Sequence, residues 1–207
     1  MLTGSIPPEL VDSSKLQGLY LGNNQLTGTI PGRLGGLCSL VKLNLSGNQL
    51  HGPVPRSFGD LKELTHLDLS YNELDGELLS SSMAWKIETM NLSNNFFDGN
   101  LPRSFGNLSY LTCLDLHGNK FTGAVPVELG NLMQLEYFDV SGNMLSGKIP
   151  ENICALVNLF YLSLAENSLE GPVPRSGSCL NLSRISLAGN KDLCRENLGF
   201  RLQDQKV

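Results

Sequence analysis

Carboxylate, imidazole and phenol side chains recur at a regular spacing along this chain of 207 residues. Asp115 and Asp139 are 24 positions apart, and His117 lies two residues after the first of them. If both aspartates lie on neighbouring parallel strands, their carboxylates are about 5 Å apart, which is the separation found in a retaining glycosidase. The alternative is a binding surface, on which Tyr137 and Tyr161 would contact a protein partner. The elements that position these residues decide between the two chemistries.

A repeated unit of about 24 residues organises most of the chain. It reads LxxLxLxxNxLxGxIPxxLxxLxx, and its copies begin at Leu16, Leu40, Leu64, Ile87, Leu111, Leu135, Leu159 and Leu182. Such a period indicates a solenoid, in which each repeat buries its apolar face against its neighbours. We expect residues 1–15 to be a truncated first repeat, residues 16–182 the main repeats, and residues 183–207 a last partial repeat, a C-terminal cap and a tail.

Each residue type of the unit has a structural role. The alternating LxL segment predicts a short strand with inward leucines, and stacked repeats join these strands into a parallel sheet on the concave face. The Asn that follows can satisfy backbone groups of its own and neighbouring turns. Gly permits a positive φ and Pro fixes φ, so we expect an extended and 3₁₀-like convex side. The repeat at residues 64–86 has residues 77–82 where Ile-Pro stands in the consensus, and there we expect Trp85 to fill a leucine position, with a local bend or docking feature as the alternative.

Two columns of side chains should point out of the concave sheet. The first column comprises Gly18, Lys42, His66, Thr89, Cys113, Tyr137, Tyr161 and Arg184. The second column comprises Tyr20, Asn44, Asp68, Asn91, Asp115, Asp139, Ser163 and Ser186. Adjacent aspartates repel each other unless a cation or a basic ligand lies between them. The candidate ligand-binding residues are Tyr137, Tyr161, Asp115, Asp139, His117, Asp68 and Glu166.

Several functional classes conflict with the sequence. An open sheet has no closed pocket to exclude water, so we expect no glycosidase or other enzyme activity. His66 and His117 would be more than about 10 Å apart by strand geometry, so we expect no metal site, and no cofactor motif occurs. A net charge of −5 without a basic cluster argues against nucleic-acid binding. The apolar runs are too short to span a bilayer, and no signal peptide precedes the first repeat, so we expect no direct membrane insertion.

The Asn-x-Ser sequons suit a secreted parent protein, whereas the cysteines alone do not fix the compartment. The chain has 5 cysteines, and Cys154 and Cys179 lie at nearly equivalent positions of consecutive repeats, where a disulfide could form; Cys194 is the alternative partner of Cys179. The sequons predict glycosylation at Asn44, Asn91, Asn107 and Asn181. Two of them fall on the concave face, where glycans would cover the early repeats and leave the later ones open.

The LxGxIP segments at 26–31 and 145–150 resemble the plant-specific class of leucine-rich repeats. The segment 187–194 is similar to the closing cap of receptor-like kinase ectodomains, and segments 39–45, 60–70 and 134–141 look like the excess-microsporocytes type. This resemblance implies an α/β leucine-rich-repeat solenoid with a right-handed superhelix. It also implies a receptor on the extracellular side of the plasma membrane that senses a secreted peptide or small cysteine-rich protein, together with a co-receptor kinase ectodomain.

The sequence departs from that pattern in having no N-terminal cap, no second cap cysteine, no membrane span and no kinase. We therefore expect the C-terminal part of an ectodomain, able to bind a ligand. One alternative is a secreted protein that is built from the same repeats and inhibits a polygalacturonase. The acidic second column argues against it. Another alternative is a non-functional truncated receptor fragment.

Overall fold

The repeats stack into a solenoid of short parallel strands. The computed structural model describes residues 1–78, 86–181 and 184–194. For residues 181–185 it describes no side chains. Trp85 and the predicted boundary between residues 182 and 183 lie outside this part of the chain. The boundary after residue 15 stays a prediction.

Sixteen strands follow one another in the described residues. They are β1 (Thr3–Ser5), β2 (Gly18–Tyr20), β3 (Gln25–Thr29), β4 (Lys42–Asn44), β5 (Gln49–Gly52), β6 (His66–Asp68), β7 (Glu73–Glu77), β8 (Thr89–Asn91), β9 (Phe96–Asp98), β10 (Cys113–Asp115), β11 (Thr122–Ala124), β12 (Tyr137–Asp139), β13 (Met144–Gly147), β14 (Tyr161–Ser163), β15 (Ser168–Pro172) and β16 (Asp192–Cys194).

The concave face is a parallel sheet of seven strands in the order β14-β12-β10-β8-β6-β4-β2. The middle residue of each strand points inward, as in Leu43, Leu67 and Leu114, which are 1%, 3% and 0% exposed. The predicted inward leucine ladder and parallel concave sheet are confirmed. The eighth copy differs, because a 3₁₀ helix at Arg184–Leu187 replaces the expected strand. A backbone hydrogen bond of 2.7 Å from the N–H of Leu164 to the carbonyl of Ser186 connects it to the preceding repeat.

A ladder of buried asparagines ties consecutive repeats together. Asn143 illustrates the pattern: its Nδ2 donates to the carbonyls of Val140 at 3.0 Å and of Leu116, in the preceding repeat, at 3.1 Å. Its Oδ1 accepts from the N–H of Phe121 at 3.0 Å, also in the preceding repeat. The amide therefore supplies partners to backbone groups that the bend after each strand leaves unpaired, as the sequence predicts.

The side of the solenoid that carries LxGxIP is more regular than expected. Its segments pair into a five-stranded parallel sheet, β1-β3-β5-β7-β9, and a four-stranded parallel sheet, β11-β13-β15-β16. Glycine is required in these strands because Gly28 and Gly147 have φ values of 82° and 76°. The sequence predicts extended backbone here, but it does not predict that the segments form sheets.

Short helical turns complete the convex side. The 3₁₀ helices of this side are Pro8–Asp12, Gly32–Gly36, Arg56–Asp60, Arg103–Asn107, Val127–Asn131 and Gly177–Asn181, and one α-helix, α1, spans Glu151–Cys154. A proline precedes most of them, as Pro31 does with a φ of −65°, and fixes the first turn. The 3₁₀ convex side is thereby confirmed. Within the described residues, no helix has the length and apolar character needed to cross a bilayer.

Candidate ligand-binding surface

The two predicted columns lie side by side on the concave sheet. The register pairs Tyr137 with Tyr161 in the first column and Asp115 with Asp139 in the second. Each pair therefore occupies neighbouring strands, which places the tyrosines and the aspartates together on β10, β12 and β14. This part of the surface is the C-terminal cluster, consisting of these four residues and His117.

The two tyrosine rings are stacked. Their centroids are 4.3 Å apart and their planes differ by 2°. Both hydroxyls point at one carboxylate oxygen, Oδ2 of Asp139, from 3.5 Å for Tyr137 and 3.2 Å for Tyr161. Burial, and then the negative charges of Asp115 and Asp139, raise the pKa of Tyr137 above its usual value. The rings are thus held in place before any partner arrives, and Tyr161 remains 38% exposed.

The aspartates of the second column also have a structural role. Oδ1 of Asp139 accepts hydrogen bonds from the backbone N–H of Ser141 at 2.8 Å and from its hydroxyl at 2.6 Å. Asp68 makes the same two bonds with Ser70. An aspartate or asparagine at the end of the strand therefore holds the turn that follows. This use of the side chain, which the sequence analysis missed, is visible in the recurrent spacing of Asp or Asn with Ser two residues later.

His117 replaces that serine in one repeat. Its Nδ1 lies 2.7 Å from Oδ1 of Asp115, and its Nε2 lies 2.8 Å from the amide nitrogen of Asn94. Because the Asn94 amide donates to Nε2, Nδ1 carries the proton that it donates to Asp115. His117 is thus a hydrogen-bonded neighbour of the aspartate pair and lies beside the second column.

The side-chain ligand atoms of Asp115, His117 and Asp139 all lie within 4.8 Å of one another. The sequence argument against a metal site compared only the two histidines and missed this cluster. However, the His117 nitrogen nearest the aspartates is hydrogen-bonded directly to Asp115, so it does not face a common ion position. We therefore interpret the three residues as a hydrogen-bonded group.

The remaining candidates lie apart from the C-terminal cluster. Asp68 lies on β6 in the N-terminal half of the sheet. Glu166 is exposed in the turn after β14, where its φ is 51°, and so belongs to neither column. The structure therefore does not bring Glu166 onto the sheet with the other candidates.

A hollow in the N-terminal half of the concave sheet was missed by the sequence analysis. Its volume is about 330 Å³, and it is lined by Tyr20, Lys42, Leu43, Asn44, His66, Leu67, Asp68, Thr89 and Asn91. The neighbouring positions of Lys42 and His66 in the first column, next to a large Tyr20, are the sequence signal that could have indicated it.

Two of the predicted glycosylation sites, Asn44 and Asn91, line this hollow. Their Oδ1 atoms accept hydrogen bonds from the serine of their own sequon, at 2.8 Å from Ser46 Oγ in the case of Asn44. Asn107 is exposed at the end of a 3₁₀ helix. The side chain of Asn181 lies outside what the structure describes.

A disulfide links Cys154 to Cys179, whose Cα atoms are 5.0 Å apart. Cys194 is a free thiol in the structure, so the alternative pairing with Cys179 does not form. Cys113, in the first column beside Tyr137, is also free, and burial together with the charge of Asp115 raises the pKa of its thiol to about 11.

Sequence models of leucine-rich repeats match most of the chain. A model described as two copies of the repeat matches residues 14–54, and two further leucine-rich-repeat models match residues 63–84 and 86–145. A comparison with curated protein sequences finds no match.

Solved structures of plant receptors are similar to this chain over more than nine-tenths of its length. The leucine-rich-repeat ectodomain of the receptor kinase GASSHO1/SCHENGEN3 from Arabidopsis thaliana, in complex with CASPARIAN STRIP INTEGRITY FACTOR 2, is 34% identical with a TM-score of 0.91 over 95% of this chain and 24% of that one. The plant peptide hormone receptor RGFR1, in complex with RGF2, is 39% identical with a TM-score of 0.88 over 92% of this chain and 31% of that one.

A third similar structure is the Arabidopsis receptor kinase HAESA in complex with the peptide hormone IDA and the co-receptor SERK1. It is 29% identical, with a TM-score of 0.74 over 96% of this chain and 37% of that one. The chain thus spans from about a quarter to somewhat more than a third of the length of these solved receptors. The fold is that of a non-catalytic, ligand-binding module. The chain therefore belongs to the leucine-rich-repeat proteins, and its repeats are of the kind that form the ectodomains of plant receptor kinases.

Proposed function

We propose that this chain is a ligand-recognition segment of a plant receptor-kinase ectodomain, and that it binds a secreted peptide or small protein through the C-terminal cluster. The observation that carries the proposal is the stacked pair of Tyr137 and Tyr161, held by Asp139 on an otherwise open sheet.

The fold itself does not require aromatic residues at these two positions. The same column contains Gly18, Thr89 and Cys113 on other strands, and those strands pair equally well. Tyrosines that are partly exposed and already ordered lose little conformational entropy on binding and are common anchors of protein interfaces. The stack therefore has the properties of a preformed contact site.

The charge of the cluster favours a basic ligand. Asp115 and Asp139 are neighbours in the register, with 9% and 6% of their surface exposed. A cationic side chain placed beside this pair relieves the repulsion between the two carboxylates. Attraction to their charge also accelerates the encounter of the ligand with the sheet at low salt. A basic segment of a secreted peptide or cysteine-rich protein has the required chemistry, in keeping with the proposed excess-microsporocytes type of receptor.

The similar receptors support a second partner. HAESA was solved with both a peptide hormone and a co-receptor. We infer that the parent of this chain acts on the extracellular side of the plasma membrane and also contacts a co-receptor kinase ectodomain. The ligand and the co-receptor would then both be proteins of the cell exterior.

A display library of secreted plant peptides and small proteins tests the proposal. The chain is immobilised, binders are selected, and their affinity is measured by calorimetry for the parent chain and for the double variant Tyr137→Ala/Tyr161→Ala. We expect the double variant to bind at least tenfold more weakly, which corresponds to about 1.4 kcal/mol.

The matched control is Tyr110→Ala, because Tyr110 is 60% exposed and lies before the first leucine of its repeat, outside both columns. It should leave the affinity unchanged. If no binder is selected, or if the correctly folded double variant binds as well as the parent chain, the C-terminal cluster is not the site. Inhibition of a fungal polygalacturonase by the chain would instead favour the secreted-inhibitor function.

A further inference from the structure

Lys42, on β4 near the N-terminal end of the sheet, is the one Lys or Arg among the described side chains of the first column. Lys42 is exposed, and it belongs to none of the ion pairs between the described side chains. The nearest acidic residue of the second column, Asp68, already accepts hydrogen bonds from Asn44 at 3.3 Å and from the Ser70 hydroxyl at 2.7 Å. The ammonium group of Lys42 is therefore available to an external anion.

The hollow beside Lys42 has the size to receive an acidic side chain, and the carboxylate of Asp68, which also lines it, is engaged by Asn44 and Ser70. Its volume of about 330 Å³ opens on the concave surface, and Tyr20, which is 65% exposed, forms part of its wall. The hydroxyl of Thr89 and the ring of His66 add polar groups to the lining. A carboxylate placed there can pair with Lys42 and replace its lost water with hydrogen bonds to these groups.

A second position, on β10, has the complementary chemistry. Cys113 pairs in register with Tyr137, and its small side chain leaves space above the sheet. One face of the Tyr137 ring is covered by Tyr161, so the opposite face looks along the sheet towards Cys113. Beside it, Asp115 uses Oδ1 to bind His117, and its Oδ2 has no hydrogen bond within the described residues. A guanidinium group can stack on the ring and pair with Oδ2 at the same time.

The separation of the two positions defines a ligand. The strands β4, β6, β8 and β10 are consecutive in the sheet, so Lys42 and Cys113 are three strand spacings, or about 14 Å, apart. An extended peptide covers that distance with about four residues. We propose that the concave sheet selects an extended peptide with an acidic side chain and an arginine about four residues apart. The acidic side chain occupies the hollow, and the arginine lies between Cys113 and Tyr137. This inference rests on the proposed function and specifies its ligand.

An array of synthetic peptides measures the spacing directly. Each peptide contains one Glu and one Arg, separated by zero to eight neutral residues, in both orders, and is probed with the chain prepared without glycans. Retention should be greatest with two to four intervening residues, which place Glu and Arg three to five residues apart, and at least tenfold weaker with zero or eight. Equal retention at all separations would overturn the inference.

Two substitutions assign the ends of the peptide. Lys42→Thr places at this position the residue that the same column has at Thr89, and it should remove the dependence of retention on Glu. Asp115→Asn places there the residue that the second column has at Asn91, and it should remove the dependence on Arg. Exposed Lys62→Thr and Asp98→Asn serve as controls and should bind like the parent chain. If either column variant keeps both dependences, the proposed position of that end of the peptide is wrong.

Glycosylation gives an independent test, because a glycan on Asn44 or Asn91 would fill the hollow. We expect peptide mapping of the chain secreted from plant cells to find both side chains unmodified, contrary to what their sequons predict, and occupancy at either would overturn the inference. Failure of this inference can be distinguished from failure of the proposed function. If the tyrosine variants lose their selected ligand while the array shows no preferred spacing, only the charge spacing fails. Loss of both results would reject the C-terminal cluster as well.

Discussion

Replacing one asparagine of the buried ladder tests how the repeats are held together. In Asn143→Ala, the N–H of Phe121 loses its acceptor, Oδ1, at a buried position. The carbonyls of Leu116 and Val140 each lose one of two amide donors, but keep the second one, from Asn119 and Asn167 respectively. One donor is thus left without a partner, and the acceptors are only weakened.

These losses give the expected magnitude. An unpaired buried N–H costs about 1–3 kcal/mol, and each weakened hydrogen bond contributes about 0.5–1.5 kcal/mol. We therefore expect the free energy of unfolding to fall by about 3–5 kcal/mol, which is a large part of the total stability of a small domain.

Urea denaturation followed by far-ultraviolet circular dichroism measures this difference. Asn24→Ala is a matched control, because Asn24 occupies the same repeat position but its Oδ1 accepts from the exposed N–H of Leu2. Water replaces that bond, so the control should lose only about 1 kcal/mol. Equal losses in the two variants, or a loss below about 1 kcal/mol at Asn143, would refute the idea that buried amides stabilise the stack.

Three further predictions concern the cysteines and the histidine. Since the pKa of Cys113 is raised to about 11, only about one thiol in a thousand is ionised at pH 8, and mass spectrometry should show iodoacetamide modifying exposed Cys38 but not Cys113 until the pH approaches 11. Replacing Cys154 and Cys179 by serine, which opens a crosslink between residues 25 positions apart, should lower the free energy of unfolding in urea by about 3.5 kcal/mol. His117→Ser should change that free energy by less than about 0.5 kcal/mol, whereas His117→Leu, which removes the side-chain donor, should cost about 1–3 kcal/mol.

The repeat phase was sufficient to predict the concave sheet and its columns over the first seven copies, but not the 3₁₀ helix that replaces the eighth strand. The pairing of Tyr137 with Tyr161 and of Asp115 with Asp139 follows from counting residues, because a solenoid repeats its register at the period of its sequence. The buried amide of Asn143 and its bonds to neighbouring turns were also predictable, since a bend after a strand leaves backbone groups unpaired.

Side-chain geometry within the columns was not predictable from the repeat alone. The sequence places two tyrosines on adjacent strands, but the parallel stack of Tyr137 and Tyr161 depends on rotamers and on the acceptor that Asp139 provides. The hollow depends likewise on the side-chain volumes around Lys42 and His66. Pairing of the LxGxIP segments into further sheets was missed because hydrophobic period alone does not reveal which extended segments come within hydrogen-bonding distance.

Two properties of the second column can be distinguished. The fold needs the side-chain oxygen, but it does not explain the negative charge. The turn after each strand requires an oxygen acceptor, and Asn91 provides it for Ser93 as well as Asp139 does for Ser141. An asparagine would therefore hold the turn without charge, whereas aspartates at both 115 and 139 place like charges on neighbouring strands at a cost in stability. At Asp139 the second oxygen also accepts from the two tyrosine hydroxyls, whereas at Asp115 Oδ2 has no hydrogen bond within the described residues, so the charge of Asp115 is the feature that the fold leaves unused. This charge lies beside a preordered pair of tyrosines. A basic protein ligand would account for both the charge and the tyrosine pair.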